Sequence, residues 1–225
     1  MNTFLYYFFI FIIYTFLGWV LEVAFIFIRT KRFVNRGFLI GPACPIYGFG
    51  ALIMMFYLTQ YKDEPFTVFI MGAFICSTLE YITSYIMEKI FKARWWDYSD
   101  KKFNVNGRIC LTYAFLFGLC GVIMICFTNP IIIYLLNLIP ENIMVITSSS
   151  FLIIFITDVL VSFNIISKFK TTALNIAKDS TEEINKKVIE TIKNKVLQKR
   201  IVKAFPSLKF QFNLRGRINR HMSKK

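Results

Sequence analysis

Glu22, Glu80 and Asp158 are each the only charged residue in an apolar run, within residues 4–28, 66–86 and 143–166 respectively. Each run reaches the ~20 residues that a ~30 Å hydrocarbon core requires. A carboxylate at that depth costs about 2.5–3.5 kcal/mol even on lenient insertion scales, so it faces a partner or a water-filled cavity. The chemistry open to three such groups is the binding of a cation, a proton or an amine-bearing solute. A membrane enzyme is the least expected class, because no nucleophile–base pair accompanies the acids. The only histidine, His221, falls in the basic C-terminal region, which excludes a histidine base at membrane depth.

Helices must position these groups, and their spacing indicates how. Thr15, Gly18, Glu22 and Arg29 share one helical face, as do Ser77, Glu80, Ser84 and Glu88, and likewise Asp158 and Ser162. Counted from the ends of their runs, all three acids lie roughly 9–12 Å deep, in one layer, at ~1.5 Å rise per residue. A further run, residues 38–58, enters the same layer with Gly41, Pro42, Cys44, Pro45, Tyr47 and Gly48. Two prolines three residues apart remove two helix hydrogen bonds and free nearby carbonyls. Two readings stand side by side, a discontinuous helix whose free backbone lines a site and a kinked packing helix. Gly41, Cys44, Gly48 and Ala51 form a face with little bulk. The expected binding residues are Glu22, Glu80, Asp158, Ser84, Cys44, Tyr47 and Asp97.

Residues 109–127 form a fifth run, with Ala114, Gly118 and Gly121 as a small packing face. Asn129-Pro130 is expected to end it, leaving 131–139 at the outer interface. Before it comes Arg94-Trp95-Trp96-Asp97-Tyr98-Ser99, then Phe103-Asn104-Val105-Asn106-Gly107-Arg108. Tandem tryptophans suit an interfacial belt. The dense alternation of Arg, Asp, Tyr, Asn and Gly instead suggests an ordered cap over the acids. The expected capping or gating residues are Arg36, Arg94, Trp95, Trp96 and Arg108, with one arginine of the three reaching a carboxylate.

The chain has 225 residues, 56% of them hydrophobic and 18% aromatic, a composition that excludes an ordinary soluble globule. Basic residues crowd the first and third connections and the region after Ser167, which carries 16 Lys or Arg against 4 acids. The fourth connection has none. Alternation of this kind sets orientation, with the N-terminal end outside and the C-terminal tail cytosolic. The first run has no basic segment before it and no small-residue cleavage site after it, so it is expected to remain as a helix. Five cysteines (Cys44, Cys76, Cys110, Cys120, Cys126) lie in or beside the runs without a CxxC pair, so they read as apolar fillers. No metal site and no cofactor are expected, because the ligand spacings are missing.

In the tail, Ser180 to Glu183 matches a capping box, and Ile184, Val188, Ile192 and Val196 follow every fourth residue among lysines. A basic amphipathic helix suits anionic cytosolic lipid, at ~1 kcal/mol per Lys or Arg near the surface. A protein partner comes second, and nucleic acid is not expected. Beyond Pro206, Leu208, Phe210, Phe212 and Leu214 alternate with polar residues.

Gly18-Trp19 with Glu22, Arg36-Gly37-Phe38-Leu39 with Gly41-Pro42, Cys44-Pro45-Ile46-Tyr47-Gly48, Glu80-Tyr81, Met87-Glu88, Trp95-Trp96-Asp97-Tyr98-Ser99, Phe103-Asn104 and Gly107-Arg108-Ile109-Cys110-Leu111 form an ordered set of motifs. Together, over about residues 15–125, they resemble the putative ABC-transporter permease family, the CmpB-like small multi-pass proteins. The resemblance implies an integral protein of the cell membrane. It supplies no ligand and no catalytic residue. No GxxxxGK[ST] is present, so ATP hydrolysis would belong to a separate nucleotide-binding subunit.

The expectation is therefore an all-α polytopic membrane protein with five transmembrane helices in residues 1–167 and a basic helical tail in 168–225. Its leading function is a permease-like component with a cytosol-facing polar site. The alternative is a non-transporting adaptor or assembly factor whose acids are structural and whose tail docks lipid or a partner. A second copy of the chain is left open as a further partner.

Overall fold

The computed structural model describes residues 3–176, 200, 204 and 209–210. The chain is built from helices α1 (Thr3–Thr30), α2 (Pro45–Leu58), α3 (Pro65–Phe91), α4 (Leu111–Val122), α5 (Asn129–Asn137) and α6 (Glu141–Ile176). Short strands β1 (Ala93–Arg94), β2 (Asn104–Val105), β3 (Ile109–Cys110) and β4 (Lys209–Phe210) make two antiparallel pairs, β1 with β4 and β2 with β3. Four helical stretches are long and apolar enough to cross a bilayer: Thr3–Thr30, Pro65–Phe91, Leu111–Asn137 and Glu141–Lys168.

The second apolar run departs from the expected full span. Only its last 14 residues, Pro45–Leu58, are helical. Pro45 opens α2, where its missing N–H and preset φ cost nothing, and residues 37–44 remain unwound. The fourth run departs in the opposite sense. Asn129-Pro130 does not end it; a π-helical segment, Ile123–Thr128, joins α4 to α5 in one continuous 27-residue stretch. The wider turn accommodates a proline that would clash with an ordinary α-helical carbonyl. The Thr128 hydroxyl donates to the Ile123 carbonyl at 3.2 Å. Residues 131–137 therefore extend this helix instead of forming a separate interfacial piece.

Helices α1 and α2 run antiparallel, with the Tyr47 ring packed against Gly18 and the Tyr7 ring tilted against Phe56, centroids 5.0 Å apart. Helices α3 and α4 approach closely at Gly72 and Gly121, where a Cβ on Gly121 would lie 3.6 Å from the Gly72 Cα, and more tightly at Gly118, where a Cβ would lie 2.8 Å from the Phe69 carbonyl oxygen. Small residues let two backbones meet, which is how helices associate without a hydrophobic drive between them. Helix α6 runs parallel to α1 through Phe8–Phe155 and Phe9–Phe151 contacts. The buried core joins Ile10, Tyr14, Met54, Leu58, Val68, Ile125, Leu136 and Met144 at one end of the bundle. The polar groups gather at the other.

Candidate functional site

Backbone amides in the unwound stretch have no helix to satisfy them, and at membrane depth each needs a partner. The Asp158 carboxylate accepts from the Ile40 N–H at 2.9 Å and the Gly41 N–H at 2.8 Å. Ser162, one turn along α6, donates to the same carboxylate at 2.9 Å. The fit requires glycine at 41, because a Cβ there would sit 2.8 Å from Asp158 Oδ2. At the segment's far end the Cys44 N–H donates to the Thr15 carbonyl at 3.0 Å. At its near end Asn35 accepts from the Gly37 N–H at 3.0 Å and from the Trp19 indole at 2.8 Å. Arg200 supplies the opposite polarity, donating to the carbonyls of Gly37, Leu39 and Ile40. The unwound segment is thus held by an acid on its amides and a base on its carbonyls.

Glu22 faces the two ends of this segment. Tyr47 donates its hydroxyl to Glu22 Oε1 at 2.8 Å, and Arg36 lies 3.5 Å from Oε2. Glu80, on α3, lies within electrostatic reach of Glu22. Its Oε1 accepts the Tyr98 hydroxyl at 3.1 Å. Its Oε2 is buried and has no hydrogen-bond partner among the described residues. The same holds for the hydroxyls of Ser77, three residues earlier on α3, and Thr15 on α1. Tyr98 stacks on Tyr113 at 4.7 Å. Burial and then the Glu80 carboxylate raise the Tyr98 phenol above its ordinary range, so it remains a proton donor.

The loop before α4 is ordered, but its arginines do not reach the acidic layer. Arg94 and Arg108 converge on Glu88, at 3.3 and 2.9 Å. Arg108 also donates to Ser84 at 3.1 Å, and its guanidinium lies over the Tyr81 and Tyr85 rings. Asp97 folds the loop locally, accepting from the Ser99 amide and hydroxyl and from Arg94. Trp96 donates to the Arg108 carbonyl at 3.1 Å. Trp95 is buried between Phe38 and Phe91. Cys44 is a buried free thiol.

Of the expected binding residues, Tyr47 meets Glu22 and Cys44 lies at the adjoining end of the unwound segment, while Glu80 meets Tyr98. Asp158 is engaged with backbone, Ser84 with Arg108, and Asp97 with its own turn. Tyr98, Asn35 and Arg200 were absent from the expected set. Tyr98 stood inside the motif-rich loop and could have been read as a donor. Arg200 had no distinguishing signal among the 16 basic residues of its region.

The ordered motifs fall on this layer, and the model of the family described as putative ABC-transporter type IV matches residues 9–163. The chain belongs to this family. The match takes in Asp158 as well as Glu22 and Glu80, so the whole layer is part of the family domain of this putative ABC-transporter component. No curated protein and no solved structure matches the chain significantly.

Proposed function

We propose that this chain is a permease-like membrane subunit that binds a cation or amine-bearing solute at Glu80, with Glu22 as the neighbouring acid, on a site open to the cytosol. One observation carries the reading. The second carboxylate oxygen of Glu80 is buried without a hydrogen-bond partner among the described residues, and the Ser77 hydroxyl on the same face is in the same condition. Buried polar groups in native proteins are nearly always satisfied, so a pair left open marks a place for a ligand or water. In this reading the chain crosses the cell membrane five times, α2 with its unwound lead making the second crossing. Its N-terminal end lies outside and its tail inside, against anionic lipid. The energy comes from a separate nucleotide-binding subunit.

The test is thermal unfolding of the purified protein against a panel of Na+, K+ and methylammonium. A saturable rise in midpoint with one of them, lost in Glu80→Gln and kept in Glu64→Gln, an exposed acid just before α3, is the expected result. A ligand at 100 times its Kd adds about 2.7 kcal/mol of stability, well within reach of the measurement. If no cation shifts the midpoint, the adaptor reading gains. The observation that favours it is that Glu22, Glu88 and Asp158 already have internal partners.

A further inference from the structure

Among the described residues, Arg200 and the Lys209–Phe210 strand bring the C-terminal region back onto the membrane domain. Arg200 donates to three carbonyls of the unwound segment, at 2.9 Å for Ile40 and 3.3 Å for Gly37. Ala204 is 1% exposed. Lys209–Phe210 pairs antiparallel with Ala93–Arg94, immediately beyond the end of α3, in the register Ala93 opposite Phe210. Positive charge that serves only to orient a membrane protein has no reason to take up backbone carbonyls 160 residues away in sequence. Burial lowers the Arg200 pKa while Asp158 acts in the opposite sense. The two groups grip the same segment from opposite sides, Arg200 on its carbonyls and Asp158 on its amides.

We propose that the C-terminal segment is an intramolecular strap: Arg200, with Asp158, locks the unwound residues 37–41 and so keeps Arg36 and Tyr47 on Glu22. Both partners of Glu22 flank this segment, one residue before it and six residues after Gly41. Loss of Arg200 leaves the Gly37 and Leu39 carbonyls to find water, with Ile40 kept only by the Asn35 amide, which loosens the segment and exposes what lies behind it. A guanidinium serves several acceptors at once through its rigid fork of donors, and an ammonium does so poorly. Arg200→Lys therefore recovers only part of the effect. The strap's docking stands apart from the solute reading; only its consequence for Glu22 rests on that reading.

The experiment uses the full chain in nanodiscs, with Cys44 kept and the other four cysteines replaced by serine or alanine. Cys44 ends the unwound stretch and is buried at 7% exposure. Its reaction rate with a small maleimide should rise at least about tenfold in Arg200→Gln, a ratio equal to ~1.4 kcal/mol and at the low end for a lost charged hydrogen bond. Arg200→Lys should fall between. An unchanged Cys44 rate in Arg200→Gln overturns the strap. Because that variant could misfold, a second measurement keeps Arg200 in place. Ala93→Cys with Phe210→Cys should form an internal disulfide under mild oxidation, read as tryptic fragments that separate only on reduction. Failure of that bond to form shows the segment undocked and overturns the proposal. Cation-induced stabilisation, measured on the same variants, is a separate readout, so failure of the solute site is distinguishable from failure of the strap.

Discussion

A carboxylate in a bilayer is defined by what satisfies it, and the three lone acids meet three different fates. Asp158 spends both oxygens on backbone amides. Glu22 is shared between a phenol and a guanidinium. Glu80 keeps one oxygen without a partner among the described residues. Neutralising Glu22 and Glu80 together should therefore be non-additive, because each charge is felt by the other. The double substitution to glutamine is expected to differ from the sum of the singles by about 0.5 kcal/mol or more in unfolding free energy, the level typical of coupled neighbours. Glu22→Gln paired with Glu64→Gln, an exposed acid before α3, should come closer to additivity. Additive behaviour in the first pair would separate the two acids and dissolve the proposed site.

At the scale of elements, glycine contacts decide how closely the helices approach. Gly121 faces Gly72 across the α3–α4 crossing, and both backbones lie within van der Waals range of an added Cβ. Gly121→Leu should force the helices apart and cost about 1–3 kcal/mol, the usual toll of overpacking. The check is the denaturation midpoint in detergent, with Gly50→Ala as the control. A Cβ at Gly50 meets nothing nearer than Leu79 at 3.6 Å, so that change should be mild. Equal loss in both would point to a general helix effect instead of the crossing. The loop between α3 and α4 is rigid for a different reason. Its arginines and Asp97 neutralise one another around Glu88, and Gly107 takes a positive φ of 65° that ordinary residues avoid.

At the scale of the whole molecule, orientation and the tail belong together. Cysteines introduced at Gln60 and Asn137 should react with an impermeant reagent added from outside, while those at Lys102 and Lys195 should not. External labelling at Lys102 would reverse the orientation and move the acidic layer to the opposite face. The Ser180–Glu183 capping box and the stripe at Ile184, Val188, Ile192 and Val196 lie outside the described residues. Helix α6 continues beyond the apolar run as far as Ile176.

Local patterns were legible because their causes are local. Runs of apolar residues, the 3.6-residue face shared by Ser77, Glu80 and Ser84, and the basic connections follow from spacing along one chain. So did the family, through its ordered motifs. The partner of each charge was not legible. Arg94 and Arg108 chose Glu88 over Glu80, Asp158 chose the amides of Ile40 and Gly41, and Arg200 chose carbonyls far away in sequence. Each choice compares distances across helices whose separation is set by glycine contacts and aromatic packing, and no residue spacing contains those distances. Pro130 makes the same point about the backbone. A proline after asparagine reads as a stop, yet the helix carries on, because a π turn removes the clash and the buried Asn129 meets Tyr14 at 3.4 Å. Alternation at Leu208, Phe210 and Phe212 left that segment unassigned, and only the folded chain could supply the edge that Lys209–Phe210 pairs with. Sequence determined which segments are long and apolar enough to enter a membrane; packing decided which of their polar groups lack a partner among the described residues.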